Sequence, residues 1–483
     1  MVMNKRPVAD APIAGFEQFG LAPSIIKGLQ EAGFITPSPI QTQAIPVVLA
    51  GHDLIAQAQT GTGKTAAFGL GAMSQLDHKG GVEMLVITPT RELASQVADE
   101  LFRLGKYADI KTVAAYGGQS ISRQAELIRR GAQVLVATPG RLLDHLRAKR
   151  MGKFAPKIVI LDEADEMLDM GFIKDLELIF EFLPKTRQTL LFSATMPPAI
   201  QKLAQSILKD PIQIQTSAGS TTSKDIIQRY YVIGEHERTD AVVRLMEFEE
   251  PDKSIIFCRT KRETEALCLS LAGLGFGARA LHGDMDQNQR EASIKAYKKG
   301  EFEVLVATDI AARGLDVTGI THVFNYHLPF DTESYIHRIG RTARAGKKGV
   351  AITLVNAREY RSLERIKHAT GADMQAEEVP TLKNMEQSLD AKLVQSILDQ
   401  PVRQAAARII KTLEGQIELE DLAARAVSML ASQAEASGPD QIGMKFAQIQ
   451  ALQEKGGAPS PSKGRKRPFK GKPRRGAARG KRD

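Results

Sequence analysis

The sequence predicts an α/β protein of two lobes, each built around a parallel β-sheet and followed by helices and a basic tail. Short β-branched apolar runs alternate with helix-like stretches in two sets, one between residues 82 and 195 and one between residues 254 and 355. The runs lack period-2 alternation, which indicates parallel strands buried on both faces. The predicted strands are 84–88, 134–138, 158–161 and 189–192, then 254–258, 304–308, 321–326 and 350–355.

Composition shifts predict where these units begin and end. The segment 216–224 (TSAGSTTSK) is small and polar, and indicates a flexible linker between the lobes. Beyond Pro380, apolar residues recur at helical spacing in three stretches separated by Pro401 and Gly415. We therefore predict five units: a first lobe over 1–215, the linker, a second lobe over 225–380, a helical extension over 381–455, and a disordered tail over 456–483.

Charge is distributed unevenly along the chain. The net charge of +9 comes from the tail, because residues 463–483 hold eleven Lys or Arg and one acidic residue, which leaves 54 basic and 55 acidic residues elsewhere. Two cysteines, Cys258 and Cys268, have neither His nor Cys at metal-ligand spacing, which argues against a disulfide scaffold or a zinc module. No membrane span or signal-peptide segment is evident. These observations predict a cytoplasmic protein.

A glycine-rich string after the apolar stretch 54–56 predicts a phosphate-binding loop. Its backbone N–H groups would wrap a polyphosphate, Lys64 would reach the β- and γ-phosphates, and the Thr65 hydroxyl would ligate Mg²⁺. Ala58 stands where the strict pattern has glycine, and a plain Gly-rich turn is the alternative. The string consists of Ala58, Gln59, Thr60, Gly61, Thr62, Gly63, Lys64 and Thr65.

An acidic string follows the apolar run 158–161 and predicts the second half of such a site. Asp162 can hold Mg²⁺ through water, and Glu163 can orient or deprotonate an attacking water. By itself, the string would more often be a helix N-terminal charge cluster favoured by the helix dipole. Together with the phosphate loop it indicates a nucleotide site at the carboxyl edge of a parallel sheet.

The motifs in order resemble those of the DEAD-box ATP-dependent RNA helicases over about residues 16–355. Such a resemblance implies two RecA-like lobes, ATP and Mg²⁺ as cofactors, and RNA as partner. Ala343 stands where many members have glycine. The matching segments are 33–41 with Phe16 upstream, the phosphate loop, 89–94, Gly117 and Gly118, 138–141, Asp162-Glu163-Ala164-Asp165, 193–195, 255–260, Gln287 with Arg290, 307–316 and 337–344.

Nucleotide roles follow from the resemblance. It implies that Gln41 reads the adenine edge, Phe16 stacks on the ring, and Asp316 holds the ribose. Arg341 and Arg344, three residues apart and so on one helix face, would reach the γ-phosphate like arginine fingers. The alternatives are a packing role for Phe16 before a helix and a solvated basic face for the arginines.

Coupling and RNA roles are implied in the same way. Ser193 and Thr195, with Asp165 and with His337 of the second lobe, resemble the polar network that links hydrolysis to duplex separation. Backbone contacts to RNA are implied for Arg91, Gly118, Thr138, Arg141 and Thr308. Arginines, hydroxyls and glycine N–H groups suit phosphates, so binding would be largely independent of base sequence.

The predicted activity is RNA-dependent ATP hydrolysis coupled to local unwinding of short RNA duplexes. Two alternatives stay open: a DNA helicase or translocase of the same architecture, and an RNA-annealing or clamping protein that acts through its tail. The motifs resemble those of bacterial members of the family, which implies a role in ribosome assembly or RNA decay.

The helices over 385–433 are amphipathic and must cover their apolar faces. One cover is the second lobe, and the other is the same region of a second chain. The string 417–424 is similar to a dimerisation region that follows the core in some bacterial DEAD-box helicases. We therefore predict a homodimer that depends on Leu419, Leu422 and Met429.

Overall fold

The computed structural model describes residues 15–58, 61–77, 80–152, 154–216, 225–312, 315, 317–343, 347–432 and 438–454. Within these residues the chain forms two sheets of seven strands each. Every neighbouring pair of strands is parallel. The predicted fold class of two RecA-like parallel-sheet lobes is confirmed.

The first lobe has the strand order β3-β4-β2-β5-β6-β1-β7. Its strands are β1 Leu54–Gln57, β2 Met84–Ile87, β3 Thr112–Ala115, β4 Val134–Ala137, β5 Ile158–Asp162, β6 Gln188–Ser193 and β7 Ile212–Gln215. Its helices are α1 Pro23–Glu31, α2 Pro39–Leu49, α3 Lys64–Met73, α4 Arg91–Gly105, α5 Ile121–Arg129, α6 Pro139–Arg147, α7 Ala164–Asp169, α8 Ile173–Phe182 and α9 Pro198–Ile207, with 3₁₀ turns at Glu17–Phe19 and Lys106–Ala108.

Helices cover both faces of this sheet. Along β2, Val86 belongs to one apolar cluster, which includes Phe68 of α3, whereas Leu85 and Ile87 belong to the cluster on the opposite face. Alternate side chains of a strand point to opposite faces, so a continuously apolar strand requires this double cover. Only the loops at the two ends of the strands are left free of this cover.

The second lobe repeats the same order as β10-β11-β9-β12-β13-β8-β14. Its strands are β8 Ile226–Val232, β9 Ser254–Cys258, β10 Ala278–Leu281, β11 Val304–Thr308, β12 His322–Asn325, β13 Gly349–Val355 and β14 Met374–Glu377. Its helices are α10 Arg238–Glu249, α11 Lys261–Gly273, α12 Gln287–Lys299, α13 Asp309–Ala312, α14 Thr332–Ile339 and α15 Tyr360–Thr370, with a 3₁₀ turn at Glu235–Glu237.

The eight predicted strands are present, with ends that differ by at most two residues. Strands that the sequence analysis did not predict include both edges of each sheet. β7 and β10 have four residues each, and only one residue of each strand is buried. Because these strands are partly exposed, they lack the continuous apolar run on which the prediction depended.

Three helices follow the second lobe as predicted, and a fourth was not predicted. They are α16 Leu382–Asp399, α17 Gln404–Leu413, α18 Leu419–Ala431 and α19 Phe446–Glu454. No described residue of α17 or α18 is buried, whereas Ile449 of α19 is buried in the second lobe. The predicted tail, 456–483, lies outside the described residues.

Arg244 of α10 binds the chain where it leaves and where it rejoins the second lobe. Its guanidinium donates from Nη1 to the Pro380 carbonyl at 3.0 Å and from Nη2 to the Pro439 carbonyl at 2.8 Å. Close by, the Met444 N–H donates to the Val232 carbonyl at 2.8 Å. Among the helices that the structure describes, none has the length and apolar character needed to cross a membrane.

Candidate active site

The glycine-rich loop connects β1 to α3 and has the backbone that only glycine adopts easily. Gly61 and Gly63 have φ of 84° and 86°, in the left-handed region. A Cβ on Gly63 would lie 2.4 Å from Nε2 of Gln41, so a side chain there would displace that amide. Lys64 begins α3, whose N-terminal N–H groups form an anion site. Gln59 and Thr60 lie outside the described residues.

Lys64 and Glu163 form a buried ion pair at the bottom of the cleft. The distance from Nζ to Oε1 is 2.8 Å, and each side chain is 5% exposed. Burial by itself would lower the pKa of Lys64, but the charges of Glu163 and Asp162 outweigh it and raise this pKa. Glu163 has φ of 54°, a left-handed backbone that is rare outside glycine and turns the chain sharply from β5 into α7.

Asp162 ends β5 beside this pair. Burial raises the pKa of Asp162 despite the nearby charge of Lys64, and no donor among the described residues bonds its Oδ1. A buried carboxylate of this kind fits a hydrated Mg²⁺, which needs only one or two protein ligands beside phosphates and water. No cluster of three or more His, Cys, Asp or Glu side chains that could hold a metal ion occurs within the described ranges.

One cavity of about 600 Å³ brings these groups together with residues of the second lobe. The second lobe supplies Arg341, which is buried. Backbone carbonyls of the same lobe hold its guanidinium: Nη1 donates to the Leu315 carbonyl at 2.7 Å and Nε to the His337 carbonyl at 3.2 Å. Asp316 and Arg344 lie outside the described residues. The lining includes Gly61, Gly63, Lys64, Thr65, Asp162, Glu163, Glu166, Lys298, Leu315 and Arg341.

Gln41 contacts the loop, whereas Phe16 does not reach the cavity. The Gln41 amide donates to the Gly63 carbonyl at 3.1 Å and accepts from the Ser38 N–H at 2.8 Å. Phe16 has no exposed surface, and its ring packs edge-on at 6.1 Å from Phe19 and 6.4 Å from Phe34. Phe16 therefore has a packing role in this structure, and its stacking on adenine stays a prediction.

Asp165, Ser193 and Thr195 form one hydrogen-bonded group. The Thr195 N–H and Oγ1 donate to Oδ2 of Asp165 at 2.8 and 3.0 Å, and the Asp165 N–H donates to Oγ of Ser193 at 3.2 Å. The end of β6 is thereby tied to the start of α7. His337 of the second lobe lies beside a different carboxylate, with its Nδ1 3.7 Å from Oε1 of Glu166.

The predicted RNA-contacting residues lie at the carboxyl ends of neighbouring strands. Arg91 begins α4 after β2, and Gly118, with φ of 90°, follows β3. Thr138 caps α6 after β4, and Arg141 lies in the first turn of that helix. In the second lobe, Thr308 ends β11. Four of the five residues thus share one edge of the first sheet.

Gln124 of α5 was missed by the sequence analysis. It is buried, its Oε1 accepts from Nη1 of Arg141 at 2.9 Å, and its Nε2 donates to the Tyr116 carbonyl at 3.0 Å. Burial lowers the pKa of the neighbouring His145 to about 4, so this ring is neutral at pH 7 and does not repel Arg141. No feature of the sequence indicates these contacts, because they join residues that are 17 and 8 positions apart.

Two contacts across the cleft join the lobes. The sequence analysis implied an RNA contact for Arg91 but gave Glu92, Gln287 and Arg290 no individual role. Nε of Arg290 lies 2.6 Å from Oε1 of Glu92, with both side chains about nine-tenths buried. Beside it, Nη1 of Arg91 donates to Oε1 of Gln287 at 2.8 Å. The two pairs hold α12 of the second lobe against the start of α4.

A glycine loop and an acidic pair lie at the carboxyl edge of one parallel sheet and face a buried arginine of the second lobe. This arrangement defines a two-lobed nucleoside-triphosphate-dependent protein. The pattern of the DEAD/DEAH box helicases matches residues 38–203, and that of the helicase conserved C-terminal domain matches residues 237–346. The chain belongs to the DEAD-box ATP-dependent RNA helicases.

Curated relatives agree over most of their length. The DEAD-box ATP-dependent RNA helicase RhpA of Helicobacter pylori (strain B128) is 51% identical over 448 residues, which cover 92% of this chain and 89% of the relative. The DEAD-box ATP-dependent RNA helicase CshA of Bacillus anthracis is 45% identical over 388 residues, which cover 80% of this chain and 74% of the relative.

Solved structures share the fold. Dbp5 of S. cerevisiae bound to RNA and ADP BeF3 has a TM-score of 0.69 and 33% identity, and the match covers 80% of this chain and 100% of that one. Mss116p bound to ssRNA and AMP-PNP has a TM-score of 0.68 and 29% identity, with 79% and 85% covered. The chain is therefore an enzyme of the ATP-hydrolysing RNA helicases.

Proposed function

We propose that the cavity between the lobes binds ATP with Mg²⁺, and that RNA lies across the edge formed by Arg91, Gly118, Thr138, Arg141 and Thr308. The observation that carries this proposal is the meeting of Lys64, Glu163 and Arg341 in one cavity. Because Arg341 comes from the second lobe, hydrolysis depends on the lobes being together. Hydrolysis would then release the RNA strand and reset the cycle.

Each group at the cavity has a proposed task. The loop 58–65 wraps the phosphates, Thr65 and Asp162 hold Mg²⁺, and Glu163 accepts a proton from the attacking water. When bound, Mg²⁺ supplies positive charge to the phosphate oxygens. Gln41 and Phe16 are proposed for adenine and Asp316 for ribose, while Arg341 and Arg344 stabilise charge on the transferring phosphoryl group.

The ion pair between Lys64 and Glu163 suggests how ATP prepares the base. Lys64 bonds Glu163 at 2.8 Å, and a γ-phosphate competes for the same ammonium group. A Glu163 carboxylate that shares Lys64 less closely becomes a stronger proton acceptor. ATP binding would thus activate Glu163, and Asp165, Ser193, Thr195 and His337 are proposed to pass the change to the RNA-facing edge.

ATPase and unwinding assays test the proposal against its two alternatives. We expect RNA to stimulate ATP hydrolysis and expect ATP to drive separation of short RNA duplexes, with little response to base sequence. Equal stimulation by DNA would favour the DNA translocase. RNA annealing without ATP-dependent unwinding would favour the clamp, and no nucleic-acid stimulation would exclude the proposed coupling.

We propose a separate RNA contact for the basic tail. Deleting residues 463–483 should weaken RNA binding and leave the ATPase site intact. For single-stranded RNA, the slope of log K on log[salt] should flatten by about 0.7 for every phosphate that the tail no longer neutralises. Titrations over a range of salt concentrations check this, and an unchanged slope would show that the tail does not touch RNA.

We also propose a homodimer through residues 385–433. Leu419 and Met429 are 69% and 71% exposed, and a groove runs between α17 and α18, so the second lobe does not cover these helices here. Light scattering should give twice the chain mass, and charged residues at Leu419, Leu422 and Met429 should reduce it to one. A second copy would place two tails on one RNA. A monomer at micromolar concentration would contradict the dimer.

The proposed setting is the cytoplasm, with RNAs of ribosome assembly or RNA decay as substrates. Cys258 and Cys268 are free thiols, which suits a reducing compartment. Crosslinking of bound RNA in cells, followed by sequencing, tests the setting. Enrichment of ribosomal precursors or of decaying messages would support it, and recovery of neither would contradict it.

A further inference from the structure

A second cavity, of about 640 Å³, opens at the edge of the second sheet opposite the ATP site. It lies where β9, β10 and β11 begin, whereas the ATP site lies where strands end. Its floor is apolar and includes α16 of the extension. The floor residues are Met246, Phe276, Val304, Met385 and Leu389.

The rim of this cavity is acidic. It carries Glu247, Glu250, Asp252 and Glu303, of which Glu250 pairs with Lys392 at 2.8 Å. Helices α10 and α11 also end here, at Glu249 and Gly273, and the carboxyl end of a helix carries partial negative charge. Burial raises the pKa of Glu247, although Arg244 lies nearby. The rim therefore attracts a cationic ligand with an apolar group.

We propose that this cavity, which we call the rim cavity, binds the chain's own basic tail, with Phe469 on the apolar floor and the neighbouring basic residues against the rim. The tail segment 463–483 has a net charge of +10 and one aromatic residue. Phe469 lies between Arg467 and Lys470, with only Pro468 intervening. The tail thus has the two chemical features that the cavity requires, in adjacent positions.

The tail is long enough to reach the rim cavity. Helix α19 ends at Glu454 on the second lobe, where Gln453 bonds the Tyr230 hydroxyl at 3.1 Å. Phe469 is fifteen residues further along, which spans up to about 50 Å when extended. A lobe of this size has a diameter of about 40 Å. The same chain can therefore supply the ligand.

Docking would hold the basic residues away from RNA, a consequence that rests on the proposed RNA contact of the tail. If the docked form outnumbers the free form by about ten to one, the apparent affinity of the tail for RNA falls about tenfold. RNA and the rim cavity then compete for one segment. The rim cavity acts as a regulator of RNA binding that is separate from the ATP site.

Tryptophan fluorescence on the full chain tests the docking, because the sequence contains no tryptophan. In Phe469→Trp we expect blue-shifted emission and weak quenching by acrylamide. The matched control, Ala478→Trp, lies on the same tail and should emit as an exposed residue. Equal emission and quenching of the two variants would overturn the proposal.

Substitutions in the rim cavity locate the contact. Adding Glu247→Gln and Glu303→Gln to Phe469→Trp should shift its emission to that of the Ala478→Trp control, and so should Leu389→Gln on the floor. Glu177→Gln and Glu181→Gln make the same charge change at exposed positions of α8 and should have no effect. If the rim and floor substitutions leave the emission of Phe469→Trp unchanged, the proposal is overturned. Emission that varies with protein concentration would likewise contradict docking within one chain.

Addition of a single-stranded RNA oligonucleotide separates this inference from the proposed function. We expect RNA to release the tail and red-shift the emission of Phe469→Trp. If RNA leaves the emission unchanged while the rim substitutions abolish the shift, the docking stands and the RNA contact of the tail fails. If RNA binding depends on the tail but no emission shift exists, the docking fails by itself.

Discussion

The two lobes have the same strand order but differ in the segment that follows the first strand along the chain, β1 in the first lobe and β8 in the second. In the first lobe, β1 leads into the glycine loop and Lys64. In the second lobe, β8 occupies the corresponding place in the sheet and leads to Glu235 and Arg238. One fold therefore provides a ligand cradle in one copy and a closed structural corner in the other.

The corner of the second lobe satisfies its charge internally. Nη2 of Arg238 lies 2.6 Å from Oε2 of Glu359 and 2.9 Å from Oε2 of Glu235, and Nη1 donates to the Tyr326 carbonyl at 2.6 Å. The hydrogen bond from Arg238 lowers the pKa of Glu235 to about 2. Such a group has no remaining need for a ligand.

The cradle of the first lobe differs because its charges are balanced less completely. Lys64 is paired with Glu163, but Asp162 keeps a carboxylate oxygen that no donor in the described part of the chain bonds. A buried charge without a full set of partners is costly until a ligand supplies them. The two sheets offer the same edge, and the two edges differ in how completely their side-chain charges are balanced.

The largest expected effect comes from Arg341, which the second lobe contributes to the cavity. Arg341→Ala should lower the kcat of ATP hydrolysis about 10³-fold or more, because the transition state loses a charge partner, while ATP binding persists. Turnover and nucleotide affinity measured together check this. Arg244→Ala, in the same lobe but at the Pro380 and Pro439 carbonyls, should keep the kcat. Equal reductions in both variants would mean that Arg341 acts through the stability of the lobe.

A somewhat smaller effect is expected when one carboxylate is neutralised in each lobe. Glu163→Gln should lower kcat about 10²- to 10³-fold through loss of the proton acceptor, with ATP and RNA still bound. Glu235→Gln, in the closed corner, should lower the thermal midpoint and leave kcat near its parent value. Rapid-quench turnover and thermal melting separate the two, and parent-like hydrolysis in Glu163→Gln would remove its assignment.

The smallest effect is expected at the contact that joins the lobes. Glu92→Arg should lower RNA-stimulated hydrolysis about tenfold, because it places two buried cations together in the closed arrangement. Adding Arg290→Glu restores an opposite-charge pair and should recover part of the activity, with a coupling of about 1 kcal/mol in the double-mutant cycle. Additive effects would show that the pair at 2.6 Å does not contribute to closure.

Sequence reasoning succeeded where local chemistry is specific. The glycines at positions with left-handed φ, the lysine that starts α3 and the acidic string that begins at the end of β5 each have a local signature. Most interior strands could be predicted as well, because burial on both faces leaves a continuous apolar run. The interior strands β1 and β8 were not predicted, and β8 contains the polar residues Gln228 and Arg229.

The remaining features depend on contacts that only the folded chain creates. Gln124 and Arg238 are buried polar residues whose partners are carbonyls and side chains far along the chain, and an isolated Gln or Arg gives no hint of this. Phe16 has a residue type that suits stacking, but the surrounding aromatic rings enclose it. Burial of a polar or aromatic side chain is decided by tertiary packing, which spacing does not encode.

The clamp formed by Arg244 has a consequence for how the extension can change. Since one guanidinium binds both the Pro380 and the Pro439 carbonyls, the chain leaves and re-enters the second lobe at nearly the same point. The intervening helices thus form an excursion with coincident ends, and the entropy of closing such a loop grows only slowly with its length. Insertions or deletions in α17 or α18, of which no described residue is buried, would scarcely alter the sheet of the second lobe. The extension can therefore change in length while the two lobes keep their geometry.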